Sequence, residues 1–272
     1  MRGIRGPQKM EHFFGVIYVG GTTFQGSTGP GKINIFPMEI SNTKIKEIRA
    51  LREKKFRDEA GLFCVEGEKM VAEALASGLE VVEVYRKEEI GEKAMERISA
   101  LNTPSPVLAV VRQPKPVKPI PGGLCLALDA VRDPGNMGTI LRMADWFGID
   151  TVYVSEDCVE AFNPKVIQSS MGTIFRKIPV TADLPQLCKE FKAKGLEVFG
   201  TFLGGENIYT ANLPAEGLIV MGNEAHGISD AVAAQVTVKL TIPSFATGPT
   251  AESLNVAVAT SLTVSEFKRR SL

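Results

Sequence analysis

At 272 residues, 44% of them apolar, the chain is long enough for a sizeable core and for two units of ordinary domain size. Its 31 basic and 31 acidic residues cancel, so net charge gives no signal of a nucleic-acid or membrane partner. The four cysteines, Cys64, Cys125, Cys158 and Cys188, are widely spaced without a Cys-x-x-Cys pair or histidine cluster, which argues against zinc and redox chemistry and suits a reducing cytoplasm, and no apolar run approaches the roughly 20 residues of a membrane span.

Residues 1–38 stand apart. Gly20-Gly21, Gly26 and Gly29-Pro30-Gly31, with little periodicity around them, read as a flexible leader or a non-native extension, with Met38 as a natural start. Gly26-Ser-Thr-Gly-Pro-Gly31-Lys32-Ile33 nearly matches a phosphate-binding loop, but Ile33 stands where a Ser or Thr would hold magnesium. No strand and helix frame it, so nucleotide hydrolysis is disfavoured.

Residues 39–113 read as a small α/β unit. The pattern predicts a helix over 44–59, a strand at 62–65, a turn at Glu66-Gly67, a helix over 69–76 and strands at 81–85 and 107–111. Within 44–57 lie seven basic and two acidic residues, with Ile45, Ile48 and Leu51 at helical spacing. Such a basic amphipathic helix is either a solvated charged face or a stripe that tracks phosphates. The proline-rich stretch 114–122 reads as an extended, fairly stiff linker.

From 123 to 272 strand and helix signals alternate. Strands are predicted at 124–128, 151–154, 196–202, 217–221 and 236–242, and helices at 136–147, 164–171, 184–194, 229–235 and 253–269. That alternation implies a parallel sheet covered on both faces. A dinucleotide oxidoreductase shares such architecture, but no Gly-x-Gly-x-x-Gly follows the first strand.

Three stretches of this unit carry chemistry. After the first strand, Asp133-Pro134-Gly135 supplies a turn, and Met137, Ile140, Leu141 and Ala144 then share one helical face while Arg142 projects from another. Asn136 is well placed to cap that helix, and Arg142 alone would read as a surface residue. The buried strand at 218–221 runs into Gly222-Asn-Glu224-Ala-His226-Gly227, and Ile242-Pro243 precedes Ser253-Leu254-Asn255. In this order the three stretches resemble the three motifs of the SpoU/TrmH family of RNA ribose methyltransferases, part of the SPOUT superfamily. Each is weak alone; three in sequence are specific, and the resemblance covers 39–272. Arg57-Asp58-Glu59 and Phe63-Cys64-Val65-Glu66-Gly67 resemble the substrate-binding domain that precedes many such catalytic domains, a fold like that of ribosomal protein L30e.

The resemblance implies a SPOUT-type α/β fold with a C-terminal trefoil knot, one of the rare exceptions to unknotted topology. It implies S-adenosyl-L-methionine as methyl donor, no metal, a homodimer with the active site near its interface, and a structured RNA substrate in the cytoplasm, ribosomal RNA ahead of tRNA. Arg142 matches the family's catalytic arginine. Because a guanidinium holds its proton tightly, stabilising a developing alkoxide or clamping a phosphate competes with a role as base. Asn136, Glu224, Ser253 and Asn255 fill the other polar motif positions, where capping a helix or closing a turn is the alternative. Gly222, Ile242 and Leu254 match the backbone positions that hold the cofactor, with Thr201 a weaker addition; for Ile242 and Leu254 ordinary packing is the alternative. His226 reads as a loop residue rather than a base. The 244–252 connection is longer than the family's usual one, which bears on the cofactor loop. A non-catalytic RNA-binding assembly factor and a base methyltransferase remain as rival readings.

Overall fold

The computed structural model describes residues 40–249 and 251–271, so the expected leader and the near phosphate loop lie outside the described residues. In the small unit, α1 (Asn42–Ala50) starts at Ser41, whose hydroxyl accepts the Lys44 N–H at 3.1 Å, and it buries Ile45 and Ile48. The single helix expected over 44–59 is broken. The last turn of α1 tightens into i to i+3 bonds, Leu51 N to Ile48 O and Glu53 N to Ala50 O, and α2 (Lys54–Ala60) starts afresh. The break leaves the Leu51 carbonyl free, and Arg57 Nη1 donates to it at 2.7 Å. Arg57 is thereby buried and leaves the basic stripe to which its sequence position assigned it.

Gly61, left-handed at φ 63°, turns the chain into β1 (Leu62–Glu66). There follow α3 (Glu68–Ala76), β2 (Val81–Arg86), the short helices α4 (Lys87–Ile90) and α5 (Glu92–Ile98), and β3 (Val107–Arg112). β3 lies between β1 and β2, antiparallel to both. Its side chains alternate between two cores. Leu108 and Val110 join Ile45, Ile48, Met95 and Ile98, whereas Val107, Ala109 and Val111 join α3 and the apolar core of the larger unit.

Residues 113–123 form neither helix nor strand, but their end is tied down: Tyr153 Oη donates to Ile120 O at 2.9 Å and Lys194 Nζ to Pro121 O at 2.5 Å. The larger unit then runs β4 (Leu124–Leu128), α6 (Pro134–Trp146), β5 (Val152–Val154), α7 (Pro164–Ser170), β6 (Val180–Thr181), α8 (Leu184–Ala193), β7 (Val198–Asn207), β8 (Gly217–Met221), α9 (Asp230–Ala233), β9 (Val238–Thr241) and α10 (Val256–Arg270). All strand pairs are parallel, in the order β6-β5-β4-β8-β7-β9.

Burial on both faces explains the unbroken apolar strands. Leu124, Leu126 and Leu128 of β4 enter the core shared with α6, α7 and α10, while Cys125 and Ala127 pack against Leu184, Leu187 and Phe191 of α8. After the edge strand β9 the chain returns to lay α10 near α6 and β8, with Phe267 edge-on to Phe199 of β7 at 4.9 Å. The expected trefoil crossing depends on such a return. α10 buries Ala257, Thr260, Val264 and Phe267, while Val258 and Leu262, with Leu254 just before the helix, are exposed.

Near its end α10 carries an acid-sensitive clamp. Glu266 accepts from Arg269 Nε and Nη2 at 2.8 and 2.7 Å and from Arg270 Nε at 2.8 Å, and these bonds hold its carboxyl down to about 2. A depressed carboxylate stabilises the fold above its unfolded value of about 4.3, and that contribution is lost as pH falls through the folded value. Glu266→Gln should therefore lower the melting temperature at pH 7, and the gap to the parent should close as pH falls toward 2 in paired thermal scans.

Candidate active site

Because the large sheet is parallel, the segments after β4, β8 and β9 emerge at the same carboxyl edge. Asp133, not Asn136, caps α6: its Oδ1 accepts the Asn136 N–H at 2.7 Å, and Pro134 occupies the first turn. Asn136 sits inside that turn, which frees its amide for longer reach. Its Nδ2 donates to Glu224 Oε1 at 3.0 Å, and its Oδ1 accepts from Asn255 Nδ2 at 2.9 Å. Asn255 in turn caps α10, accepting from Ala257 N at 2.9 Å and Val258 N at 3.3 Å. One relay, Glu224 to Asn136 to Asn255, therefore joins all three motif segments.

Three residues with no role assigned from the sequence build the frame. Asn223 Nδ2 donates to Ala130 O at 2.7 Å, while its Oδ1 accepts from Ala225 N and His226 N at 2.9 and 3.1 Å. Ala130 is left-handed at φ 56°, a conformation an L side chain adopts at some cost, and the loop bonds around it maintain it. The buried Asp129 accepts the Ser229 N–H at 2.7 Å and so holds the far side of the Gly222 loop. Gly138 permits α6 and α7 to cross closely, since an added Cβ would lie 2.0 Å from Ser169 Oγ and 2.7 Å from the Ser169 carbonyl carbon. An Asn beside a Gly-rich loop and a Gly inside a helical pattern were the available signals.

Arg142 and Ser253 stand outside the relay. Arg142 is exposed on α6, four residues before Trp146, and its guanidinium has no hydrogen bond or ion pair with a described residue. Ser253 is exposed in the segment leading into α10. His226 is an exposed loop residue, as its sequence context implies. Cys158 lies under the first motif and donates to Leu128 O at 3.2 Å, and burial pushes its thiol up.

The cofactor positions form a second group. Gly222 is buried, Ile242 is half-buried against the core, and Leu254 is half-exposed. Thr201 Oγ1 reaches Val220 O and Met221 Sδ at 3.5 Å, which places it beside β8 just before Gly222. Among the described residues none bonds to the main-chain N–H or C=O of Ile242 or Leu254. Free main-chain groups next to an apolar half-buried side chain fit an adenine, which needs hydrogen bonds at its edge and packing on its faces. Metal ligation has no comparable set: the described residues hold no group of three His, Cys, Asp or Glu side chains that could share an ion.

The SpoU rRNA Methylase family matches residues 123–265, and the MRM3-like substrate binding domain matches residues 42–94. The chain is 34% identical over 239 residues to the 23S rRNA (guanosine(2553)-2'-O)-methyltransferase of Bacillus subtilis, covering 82% of this chain and 95% of that one. A structure from Porphyromonas gingivalis assigned to the TrmH family of RNA methyltransferases superposes with a TM-score of 0.79 at 39% identity, covering 86% of this chain and 100% of the other. An AdoMet-bound rRNA methyltransferase from Sinorhizobium meliloti superposes with a TM-score of 0.76 at 29% identity, covering 86% and 98%. The α/β sheet with its motif segments at one edge is the SPOUT-type fold anticipated from the sequence. With a family match across 123–265 and a relative aligned along 82% of this chain, the chain belongs to the SpoU rRNA methylase family.

Proposed function

We propose that the protein transfers the methyl group of S-adenosylmethionine to a ribose 2′-hydroxyl of structured RNA, with ribosomal RNA as the preferred substrate. The observation that carries this reading is the Glu224–Asn136–Asn255 relay, which gathers the three motif segments at one sheet edge beside unpaired main chain at Ile242 and Leu254. The donor brings an already activated methyl group, so the protein's task is alignment and care of the hydroxyl proton. Gly222, Ile242 and Leu254 hold the donor through main-chain groups, with Thr201 beside them. Asn136, Glu224 and Asn255 fix these loops against α6, and Ser253 lies next to them for the ribose. Arg142 meets the RNA, where its fork suits both a phosphate and the charge that develops on the 2′-oxygen.

Residues 39–113 serve as the RNA-holding unit, joined through 114–122 to the methyltransferase unit at 123–272. Lys46 and Arg49, exposed on α1 and without a carboxylate partner among the described residues, are phosphate contacts of this unit, whereas Arg57 is withdrawn from the surface. Ribosomal RNA is preferred because the Bacillus subtilis and Sinorhizobium meliloti proteins bear that name, and this substrate puts the protein in the cytoplasm. The test is incubation with labelled donor and total cellular RNA, followed by nuclease digestion and mass spectrometry. A 2′-O-methyl nucleoside from rRNA is expected. A methylated base, or no transfer to any RNA, would overturn the reading, and label confined to tRNA would replace the substrate.

A homodimer completes the proposal. Trp146 is 86% exposed on α6, and Leu254, Val258 and Leu262 form an exposed apolar stripe at the start of α10 and along it. Exposed apolar stripes of this kind mark association surfaces. Arg142 shares the outer face of α6 with Trp146, so a partner seated there lies beside it. Val258→Asp with Leu262→Asp should give a monomer in light scattering and lower methyl transfer by at least about tenfold, because two desolvated carboxylates oppose the contact. A dimer of unchanged stability would remove this surface from consideration.

A further inference from the structure

We infer that Arg57 and Glu160 are positioning residues for methyl transfer: their ion pair locks segment 155–170, which supports the Arg142 helix, to the RNA-holding unit. This inference rests on the function proposed above. Arg57 belongs to α2 of the small unit yet is 2% exposed. Its Nη1 is bonded to Leu51 O, its Nη2 reaches Glu160 of the larger unit, and its Nε has no partner among the described residues. Burying a charge so deeply costs about as much as the pairing returns, so the pair is a poor device for stability alone and a good one for fixing a register. Around it lie further crossings between the units. Phe63 stacks on Phe162 at 4.4 Å, and Gln168 Nε2 donates to Glu66 O at 3.1 Å.

The other side of the same segment holds the first motif. Val159 N donates to Val131 O at 2.9 Å, Ser155 Oγ accepts from Ala130 N at 2.9 Å, and Ser169 Oγ donates to Pro134 O at 2.8 Å. Ser169 also fills the space that Gly138 leaves on α6. At the far end of α6, Arg176 bridges Asp145 at 2.8 Å and Glu73 of α3 at 3.0 Å. The small unit thus grips both ends of the helix that carries Asn136 and Arg142. Apolar contacts in the shared core set the separation of the units, and the buried ion pair with its directed bonds adds a fixed orientation. A misplacement of about 1 Å at a reacting centre costs on the order of a hundredfold in rate. The pair therefore converts the place where RNA is held into the place where Arg142 stands.

The test compares the full chain with Arg57→Met, Glu160→Gln and the double replacement Arg57→Met/Glu160→Met. Amide hydrogen exchange of the free protein, donor affinity, RNA affinity and kcat are measured on each. Residues 130–146 are expected to exchange about tenfold faster in both single variants, as local opening becomes easier. Donor and RNA affinities stay within about twofold while kcat falls by about tenfold or more. The double replacement, which packs apolar groups where the charges were, restores the melting temperature but not kcat. Unchanged exchange at 130–146, or recovery of kcat together with stability in the double variant, would overturn the inference. If the parent transfers no methyl group to RNA, the proposed function falls, and the exchange data still decide whether the pair holds α6.

Discussion

Arg142→Ala is expected to reduce kcat/KM for methyl transfer by about 10²–10³ or more, the loss typical of removing one preorganised stabiliser of developing negative charge. The guanidinium is exposed and makes no bond to a described residue, so the variant should melt within about 1 °C of the parent, as surface substitutions away from special features do. Donor binding by calorimetry should be unchanged, because Arg142 lies outside the group formed by Gly222, Ile242, Leu254 and Thr201. Arg142→Lys separates two roles. It keeps a point charge but loses the planar fork, so partial activity marks electrostatic attraction, and loss equal to alanine marks bidentate contact with phosphate or ribose. A fall of less than about tenfold for the alanine variant would remove Arg142 from the chemistry.

Gly222→Ala should be the most damaging one-methyl change in the site. The added Cβ would stand 2.1 Å from Gly227 C, 2.2 Å from Ile228 N and 2.5 Å from Gly227 O, all main-chain atoms with no rotamer to yield. The loop from Asn223 to Gly227 must open, and Glu224 leaves Asn136. Overpacking of this kind costs about 1–3 kcal/mol, and donor affinity should fall by about a hundredfold as the loop is displaced. Calorimetry and thermal denaturation read both effects. Gly204→Ala, where an added Cβ meets nothing within 4 Å, is the matched control and should leave stability and donor affinity alone. Equal behaviour of the two variants would mean that the loop accommodates a side chain.

The fold was legible where local signal and burial agree. Leu124–Leu128 and Gly217–Met221 are apolar on both faces because they are central parallel strands, and Met137, Ile140, Leu141 and Ala144 are fully buried as their spacing requires. Features set by distant neighbours were hidden. The two-residue strand β6 is too short to carry a period, and the helices over 87–98 are only four and seven residues long. Composition counted Arg57 among solvated charges because nothing local announces a carboxylate 103 residues away. Leu254, Val258 and Leu262 recur at helical spacing yet are exposed, because spacing alone does not say which face of a helix meets the core.

The site showed the same division. Motif order marked Asn136, Glu224 and Asn255, and the structure brings their side chains into one relay. Capping misled at Asn136, since Asp133 three residues earlier competes for the same N–H and has Pro134 after it to start the helix. Gly138 and Asn223 were invisible as frame residues because their partners, Ser169 and Ala130, lie on other segments.

The relay also sets a time at which the enzyme can begin to work. Asn136 and Asn255 are 119 residues apart, and Asn255 is the cap on which the last helix begins. Contacts of such long sequence separation form late, after the cost of closing the intervening chain has been met. Methylating competence thus waits for the docking of the fifteen-residue helix α10, because only then does Asn255 meet Asn136 and close the relay.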